Sequence, residues 1–402
     1  MEYWGIFPKD GQGLDVCRRR RTHLKESPSR IRRNGGRLLV FLALATTWLF
    51  LCPLQAADPK FFGDGISGSD AAQEKIFALY GFDRQHDWFR DKTDSEILGF
   101  LQAGKVNAVF GVSGEPELAA LLRGAGIRIY AEFGVFVGEK YWREIPGSRP
   151  VGPDGRELQK IDWYAGLNPA NESIRRRKLA EFRELLEAGN LDGVWLDFIR
   201  WPGRWEESSP QFLETSFDRE TLLKFALDID IEGLPADNPE AAAAMIEESF
   251  QAEWIDWRCR QVTSWVEEAR KLVDQVAPTT RLGLFAVPWA DDHGNAVETV
   301  LGQDFKSLGK YIDVFSPMAY HMMCGRPVSW IGDVSVWLRE TTGREIVPII
   351  QTVDQPEALS PAGLAEAVRE AYGFQGSKGV ILFNLSGLDK AKLEAAAGAI
   401  AE

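Results

Sequence analysis

The chain has 402 residues and a formal net charge of −13. This acidic balance argues against nucleic acid and anionic membranes as partners, because both repel a negatively charged protein surface. Four cysteines in a chain of this length are too few for a disulfide framework, so the fold must depend on a hydrophobic core.

Residues 1–56 have the composition of a secretory leader rather than that of a folded domain. Arginine-rich segments precede an apolar run at 38–52, and Pro53-Leu-Gln-Ala56 is a small-residue cleavage pattern. The apolar run is shorter than the roughly 20 residues that span a bilayer. We therefore expect export to the periplasm or outside the cell, with no stable membrane insertion after cleavage. An anchor formed by an uncleaved signal is the alternative.

Cys259 and Cys324 are the cysteines that remain after this cleavage. A disulfide between them is chemically allowed outside the cytoplasm. Two buried free thiols agree with the sequence at least as well, because Cys259 lies in a helical pattern and Cys324 in a loop. Their spacing fits no zinc motif. The adjacent residues Asp291, Asp292 and His293 are unsuited to converging on one ion, so we predict neither a metal nor a cofactor.

Eight apolar runs alternate with helical patterns from residue 75 onward. The predicted strands cover 75–80, 106–112, 127–133, 194–199, 281–287, 312–320, 345–351 and 379–384. A long helix is predicted from about 247 to 276, with tryptophans at spacings of three and four that indicate core packing. Long connections at 134–172 and 203–218 follow the third and fourth strands, and ordered connections of this length usually carry function.

The alternation predicts an α/β fold, a single (β/α)8 TIM barrel over residues 57–402 with long loops after strands 3 and 4, because parallel strands need crossover helices. A doubly wound open sheet is the main rival. That fold usually shows a glycine-rich phosphate turn after an early strand, and none is found. Length alone would also allow two ordinary domains.

The stretch Asp192–Pro202 is the most informative one in the chain. Asp197 lies in an otherwise apolar strand, and burying an unpaired carboxylate would cost several kcal/mol. We therefore expect Asp197 to lie at a wet strand end or against a partner. A structural ion pair with Arg200 is the alternative.

Active sites of such barrels lie at the C-terminal ends of the strands. The predicted catalytic carboxylates there are Asp197, Glu132 and Asp291, because glycoside hydrolysis uses a carboxylate pair. The predicted substrate-binding residues are Asn168, Arg200, Trp201, Trp289, Tyr320, His321, Gln351 and Asp354. Loop tryptophans, which include Trp142, Trp163 and Trp205, either stack on sugar rings or pack within their loops.

The motifs carry a family resemblance over roughly residues 75–385. Asp192-Gly193, Asp197 and Pro202 resemble the fourth-strand motif of glycoside hydrolase family eighteen, and Met318-Ala-Tyr320-His321 resembles its sixth-strand motif. With Arg200 and Ser316-Pro-Met-Ala-Tyr320 included, the chain is more similar to glycosyl hydrolase-like barrels of the family ten type. These include the C-terminal hydrolase half of periplasmic exopolysaccharide deacetylases. The resemblance implies a barrel that hydrolyses glycosidic bonds.

The chain departs from family eighteen at two positions. Ile199 stands where that family has its acid glutamate, and Trp195 replaces an acidic residue, so a substrate-assisted mechanism is not expected. By analogy with the more distant family thirteen, Asp197 would be the nucleophile. Glu132 is then the first candidate for the acid and Asp291 the second.

These observations support hypotheses from different classes. The leading one is an exported glycoside hydrolase that acts on a polysaccharide or oligosaccharide. A non-catalytic carbohydrate-binding barrel explains the aromatic residues and the missing glutamate equally well. A barrel lyase or another sugar-modifying enzyme is a third, weaker hypothesis.

Overall fold

The computed structural model describes residues 74–401, so the predicted leader lies outside the described residues. Eleven strand segments are present in this part of the chain. They are β1 Ile76–Leu79, β2 Ala108–Phe110, β3 Arg128–Gly134, β4 Gly193–Asp197, β5 Gly203–Arg204, β6 Gln211–Phe212, β7 Arg281–Ala286, β8 Val314–Pro317, β9 Glu345–Ile346, β10 Ile349–Gln351 and β11 Gly379–Phe383.

Nine of these segments form one parallel sheet in the order β10-β11-β1-β2-β3-β4-β7-β8-β9. Pro348, which has no N–H to donate, lies between β9 and β10 and divides the seventh barrel strand. Since Met318 beyond β8 also pairs with Ile349 of β10, the two ends of the sheet meet. The predicted (β/α)8 barrel is confirmed. Strands β5 and β6 form a separate antiparallel hairpin after β4.

Helices follow the strands and cover the outside of the barrel. They are α1 Asp94–Ala103, α2 Pro116–Gly124, α3 Glu139–Glu144, α4 Glu172–Ala188, α5 Arg219–Ile229, α6 Pro239–Ser249, α7 Gln251–Val276, α8 Asp292–Thr299, α9 Phe305–Leu308, α10 Trp330–Thr342, α11 Pro361–Gly373 and α12 Lys390–Ala399, with a 3₁₀ turn at Leu385–Gly387. Within residues 74–401, no helix combines the length and the apolar character needed to cross a bilayer.

One predicted helix boundary was wrong. The sequence predicted one helix that begins at about 247, whereas α6 begins at Pro239 and α7 follows after a break at Phe250. Pro239 occupies the first turn of α6 behind the cap Asn238, a position that tolerates proline because its N–H would be unbonded. The tryptophans of α7 are buried, as their spacing predicted.

The Trp195 indole fills the centre of the barrel and forms a floor below the strand ends. Its Nε1 donates to Ser316 Oγ at 2.9 Å, and its ring packs against Tyr130. A Cβ at Gly283 would lie 2.3 Å from this ring, and one at Gly193 would lie 2.6 Å from it. Both positions therefore need glycine to admit the indole.

Asp192, which precedes β4, fixes the start of the strand. Its Oδ2 accepts a hydrogen bond from Ile129 N at 2.7 Å, and its carbonyl accepts one from Arg281 N at 3.1 Å. These bonds join β4 to its two neighbours. Asp192 is therefore a structural part of the Asp-Gly motif and lies at the opposite end of the strand from Asp197.

Candidate active site

Asp197 is the last residue of β4, and its side chain lies on the same strand face as Trp195. It is 9% exposed, and its Oδ1 accepts a hydrogen bond from Phe198 N at 2.6 Å. Phe198 has a φ of +50°, a left-handed conformation that costs a bulky residue roughly 1–2 kcal/mol. Its ring stacks on Tyr164 at 5.8 Å and meets Trp163 edge-on at 5.7 Å. These contacts hold the strained turn that places Asp197 at the barrel mouth.

Glu132 lies beside Asp197 on the neighbouring strand β3. In the parallel register Glu132 pairs with Trp195 and Gly134 pairs with Asp197. The two carboxylate residues are thus offset by two positions on one face, which corresponds to about 8 Å between their Cα atoms from strand spacing and rise. The Glu132 side chain is half-buried, and its Oε2 accepts a short hydrogen bond from the Tyr80 hydroxyl at the end of β1.

Burial raises the pKa values of both carboxylates, but to different degrees. The pKa of Glu132 is raised well above its usual value, first by burial and then by the negative charge of Asp197. Burial also raises the pKa of Asp197 to about 7, opposed by the hydrogen bond from Phe198 N and by the positive charge of Arg200. Both carboxyl groups therefore keep their protons to a higher pH than exposed carboxylates do, and the charge of Asp197 opposes the ionisation of Glu132.

Arg200 is buried behind the pair and is held by the loops around it. Its NH1 donates to Gly203 O at 3.0 Å and to the Tyr164 hydroxyl at 3.3 Å. Its guanidinium also lies over the Phe198 ring, 5.6 Å from the centroid. This side chain supplies a positive charge to the carboxylate cluster and braces the turn after β4.

A third carboxylate, Glu206, belongs to the same cluster and was missed in the sequence. It lies on the β5–β6 hairpin, is half-buried, and its Oε2 accepts a hydrogen bond from Trp205 N at 3.3 Å. Burial raises its pKa, while Arg200 opposes that rise. In turn, the negative charge of Glu206 contributes to raising the pKa of Asp197.

Tyr320, from the loop after β8, closes the cluster on the far side. Its ring stacks on Trp205 at 5.7 Å and on Phe383 at 4.9 Å. Burial raises its pKa well above the usual value, and the charges of Asp197, Glu206 and Glu132 add to this effect. The structure therefore brings the predicted residues Glu132, Asp197, Arg200 and Tyr320 together.

Four other predicted residues use their side chains in packing and loop structure. Trp201 is fully buried and donates from Nε1 to Arg258 O. Asn168 donates to Asp218 and Thr221. Gln351 accepts from Met323 N in the loop after β8 and donates to Gln355 O in its own loop. Asp354 forms an ion pair with Lys392 at 2.8 Å.

The remaining three predicted residues lie around the β5–β6 hairpin and the loop after β8. Trp289 is buried and donates from Nε1 to Trp205 O at 3.0 Å. His321 follows Tyr320, and burial lowers its pKa. Asp291 is exposed at the N-cap of α8, so the second candidate acid lies on the surface.

Tyr80, Tyr164 and Glu206 carried only weak sequence signals. Tyr80 ends the first predicted strand, so the strand-end rule could have found it. Tyr164 and Glu206 lie in the two long connections after the third and fourth strands, where no periodicity assigns a direction to a side chain.

Cys259 and Cys324 are both free and buried, which agrees with the thiol alternative.

No three His, Cys, Asp or Glu side chains among residues 74–401 are grouped as ligands for a metal ion.

A cleft of about 670 Å³ opens at the opposite end of the barrel, where β7 and β9 begin. Its charged groups pair with one another, Arg270 with Asp313 at 3.0 Å and Arg281 with Glu345. Ion pairs at this end of a barrel are typical of stability rather than of catalysis.

No protein-family model and no curated protein sequence matches the chain. Solved structures do match its fold. A β-galactosidase from the psychrophilic Marinomonas ef1 has a TM-score of 0.61 at 10% identity, covering 82% of this chain and 59% of its own. A β-galactosidase from Bacillus circulans sp. alkalophilus has a TM-score of 0.55 at 12% identity, covering 81% and 55%.

The same barrel occurs in an α-L-fucosidase, isoenzyme 2 from Paenibacillus thiaminolyticus, with a TM-score of 0.52 at 13% identity, covering 81% of this chain and 49% of its own. This chain therefore shares the (β/α)8 barrel fold of these three enzymes. This chain spans about half to three fifths of the length of these neighbours. At such low identity the likeness concerns the fold alone, and the resemblance to the family ten type stays a prediction.

We expect Asp197→Asn to increase the free energy of unfolding, more at pH 8 than at pH 5. The folded state raises the pKa of Asp197 from 3.8 to about 7. The folded protein therefore keeps a proton that the unfolded chain has lost, and the stability contributed by this group falls as the pH rises through 7. The asparagine does not titrate, so its gain at pH 8 exceeds its gain at pH 5 by on the order of 3 kcal/mol, which is roughly two pH units at about 1.4 kcal/mol each.

Urea denaturation at the two pH values measures this difference. Asp87→Asn, which changes an exposed carboxylate on the loop after β1, is the matched control and should alter neither value measurably. Equal gains at pH 5 and pH 8, or a loss of stability at pH 8, would contradict the electrostatic description of the site.

Proposed function

We propose that the chain is a glycoside hydrolase that cleaves a glycosidic bond in a polysaccharide or oligosaccharide with Asp197 and Glu132. The observation that carries this proposal is the carboxylate pair on adjacent strand ends at the barrel mouth. The charge of Asp197 opposes the ionisation of Glu132, whereas the hydrogen bond from Phe198 N and the charge of Arg200 favour the ionised form of Asp197. These influences support Glu132 as the acid and Asp197 as the nucleophile of a two-carboxylate reaction.

In the proposed reaction Glu132 donates its proton to the glycosidic oxygen as the bond to the anomeric carbon breaks. Asp197 attacks that carbon and forms a glycosyl ester. Its Oδ1 accepts from Phe198 N, which leaves Oδ2 to attack. Glu132, now ionised, then removes a proton from a water molecule, and the water releases the sugar and regenerates both carboxyl groups.

Aromatic side chains around the pair support a sugar as the substrate. Trp205 and Tyr320 are buried and stack on each other, whereas Trp163 and Tyr164, which pack against Phe198, are partly exposed. Partly exposed flat rings of this kind stack on the apolar faces of sugars. The acidic chain disfavours nucleic acid as a partner. The solved structures described above that share this fold are β-galactosidases and an α-L-fucosidase. Galactosides and fucosides therefore belong in the first panel of test substrates.

We also propose that the protein acts after export, in the periplasm or outside the cell. The support is the leader pattern at residues 1–56, with its basic segments, short apolar run and small residues before Ala57. N-terminal sequencing of the protein recovered from its native host measures this directly. A mature chain that begins at or near residue 57 is expected, and an intact leader would favour the anchored alternative.

We expect Asp197→Asn and Glu132→Gln each to lower kcat by at least about 10³-fold on any substrate that the wild type hydrolyses. Each substitution removes one half of the carboxylate pair and keeps the side-chain volume. Release of reducing sugar from a panel of aryl glycosides and polysaccharides is the measurement. Added azide should restore turnover to a small-side-chain variant, Asp197→Gly, and yield a glycosyl azide.

The control is Asp87→Asn, whose carboxylate is exposed on the loop after β1 and which should retain wild-type turnover. Full activity of Asp197→Asn would refute the assignment. Loss of activity in Asp291→Asn with an active Glu132→Gln would transfer the acid role to Asp291. Binding of oligosaccharides by the wild type without hydrolysis across the panel would favour the non-catalytic carbohydrate-binding barrel.

A further inference from the structure

Tyr80, which directly follows β1, contacts one of the two carboxyl groups to which we assign the chemistry. Its hydroxyl donates a hydrogen bond to Oε2 of Glu132, which lies 52 positions further along the chain on β3. Strand β2 lies between β1 and β3 in the sheet, so the phenol reaches across a whole strand to make this bond. The barrel fold alone brings the two groups together.

The backbone at Tyr80 is bonded to the neighbouring segments on both sides. Its N–H donates to Leu382 O of β11 at 3.1 Å, and its carbonyl accepts from Leu385 N at 3.0 Å. Two residues further on, Phe82 N donates to Phe110 O of β2 at 3.0 Å. The backbone from which the phenol projects is therefore held by the sheet, although it lies just beyond the last residue of β1.

The ring of Tyr80 is enclosed by three phenylalanine rings from three other strands. The centroid distances are 5.6 Å to Phe110 on β2, 6.0 Å to Phe285 on β7 and 5.1 Å to Phe383 on β11. Another rotamer of Tyr80 would have to displace one of these packed rings, which a close-packed interior resists. The enclosure therefore delivers the hydroxyl to one place, the carboxyl group of Glu132.

This hydrogen bond distinguishes the two oxygens of Glu132. A protonated carboxyl group has one oxygen that carries the proton and one that accepts hydrogen bonds. Since Oε2 accepts from Tyr80, the proton of the neutral acid lies on Oε1. The bond also fixes the rotation of the carboxyl group about its last torsion, which side-chain sterics leave broadly free.

Two other titratable groups approach Glu132 from different strands. Asp197 at the end of β4 opposes its ionisation through negative charge, which adds to the effect of burial on the pKa of Glu132. The charge of Glu132 in turn contributes to raising the pKa of Tyr320, in the loop after β8. Asp197 thus acts on Glu132 through space, whereas Tyr80 is bonded to it.

We propose that Tyr80 is a positioning residue for the general acid, and that it holds Oε2 of Glu132 so that Oε1 presents the proton to the glycosidic oxygen. This inference rests on the proposed hydrolase function, in which Glu132 is the acid. Tyr80 itself gives no proton to the sugar. Its hydrogen bond becomes stronger when Glu132 ionises, because a carboxylate accepts more strongly than a neutral acid does, and the bond therefore also favours proton transfer.

The titration of Glu132 tests the contact without any substrate. The protein is labelled with ¹³C at the glutamate side-chain carboxyl carbons, and Glu132→Gln identifies the resonance that belongs to this residue. The midpoint is then measured in the wild type and in Tyr80→Phe, which removes the hydroxyl and keeps the ring. We expect the midpoint to rise by about one pH unit, because the ionised form loses a hydrogen bond that favours it.

Tyr130→Phe is the matched control. It removes a hydroxyl from another buried tyrosine, which lies on β3 and packs against Trp195 in the floor of the barrel, and should leave the Glu132 midpoint unchanged. An unchanged midpoint in Tyr80→Phe, or an equal rise in Tyr130→Phe, would overturn the inference. If Tyr80→Phe does not fold, Tyr80→Met provides the same readout, since its flexible side chain adapts to the space of the ring.

Kinetics provide a second readout on a substrate that the wild type hydrolyses. Tyr80→Phe should lower kcat on the order of 10- to 100-fold with little change in KM, because the acid is no longer oriented. The basic limb of its kcat/KM profile should move to higher pH, since Glu132 then keeps its proton to a higher pH. A merely structural role would lower kcat and leave the limb in place.

The two measurements also separate this inference from the proposed function. Wild-type kcat and an unmoved limb in Tyr80→Phe, together with an inactive Glu132→Gln, would overturn the role of Tyr80 and leave the hydrolase intact. A raised Glu132 midpoint in a protein that hydrolyses nothing would refute the hydrolase, and the acid role with it, while still showing that Tyr80 holds the carboxyl group.

Discussion

Two carboxylates that lie on neighbouring strand ends and are largely removed from solvent cannot both carry a charge at low cost. That constraint governs the mouth of this barrel. Burial disfavours the ionised form of either group, and the charge of Asp197 further disfavours the ionisation of Glu132. The hydrogen bond from Phe198 N and the charge of Arg200 favour the ionised form of Asp197. These opposing influences are the reason why we propose Glu132 as the proton donor and Asp197 as the nucleophile.

The fold supplies this pair through the register of β3 and β4. Pairing of Glu132 with Trp195 brings both carboxylates to one face, one above the other by two residues. The Trp195 indole fills the barrel below them, and glycine at positions 193 and 283 makes room for it. The Asp-Gly part of the motif and Ser316 therefore build the floor, whereas Asp197 performs the chemistry that we propose.

The barrel and part of the carboxylate cluster could be predicted from the sequence, because apolar and polar residues follow a regular pattern along strands. Alternating apolar runs located the eight strands, and the rule that barrel sites lie at strand C-terminal ends led to Asp197 and Glu132. Both residues lie where the period of two assigns them to the inner face. The same reasoning gave a helix start at 247, because the residues of α6 show too weak an apolar pattern to outweigh Pro239 at its beginning.

Loop residues were predicted less well, for a physical reason. Side-chain direction in a connection depends on tertiary contacts that no local period encodes. Glu206 therefore escaped notice. Trp201 and Gln351 were placed near the substrate, although Trp201 packs against Arg258 and Gln351 bonds the backbone of its own loop and of the loop after β8. The hairpin that carries Glu206 is fixed by Trp289 and Tyr320, which lie more than 80 residues away along the chain.

The most direct test of this account is the titration of Glu132 itself. With ¹³C at the glutamate side-chain carboxyl carbons and Glu132→Gln to identify the resonance, the midpoint is measured in the wild type and in Asp197→Asn. The account predicts a wild-type midpoint far above the ordinary glutamate value of about 4.3 and a lower midpoint once the charge of Asp197 is removed. A midpoint near the ordinary value that does not change in Asp197→Asn would contradict it.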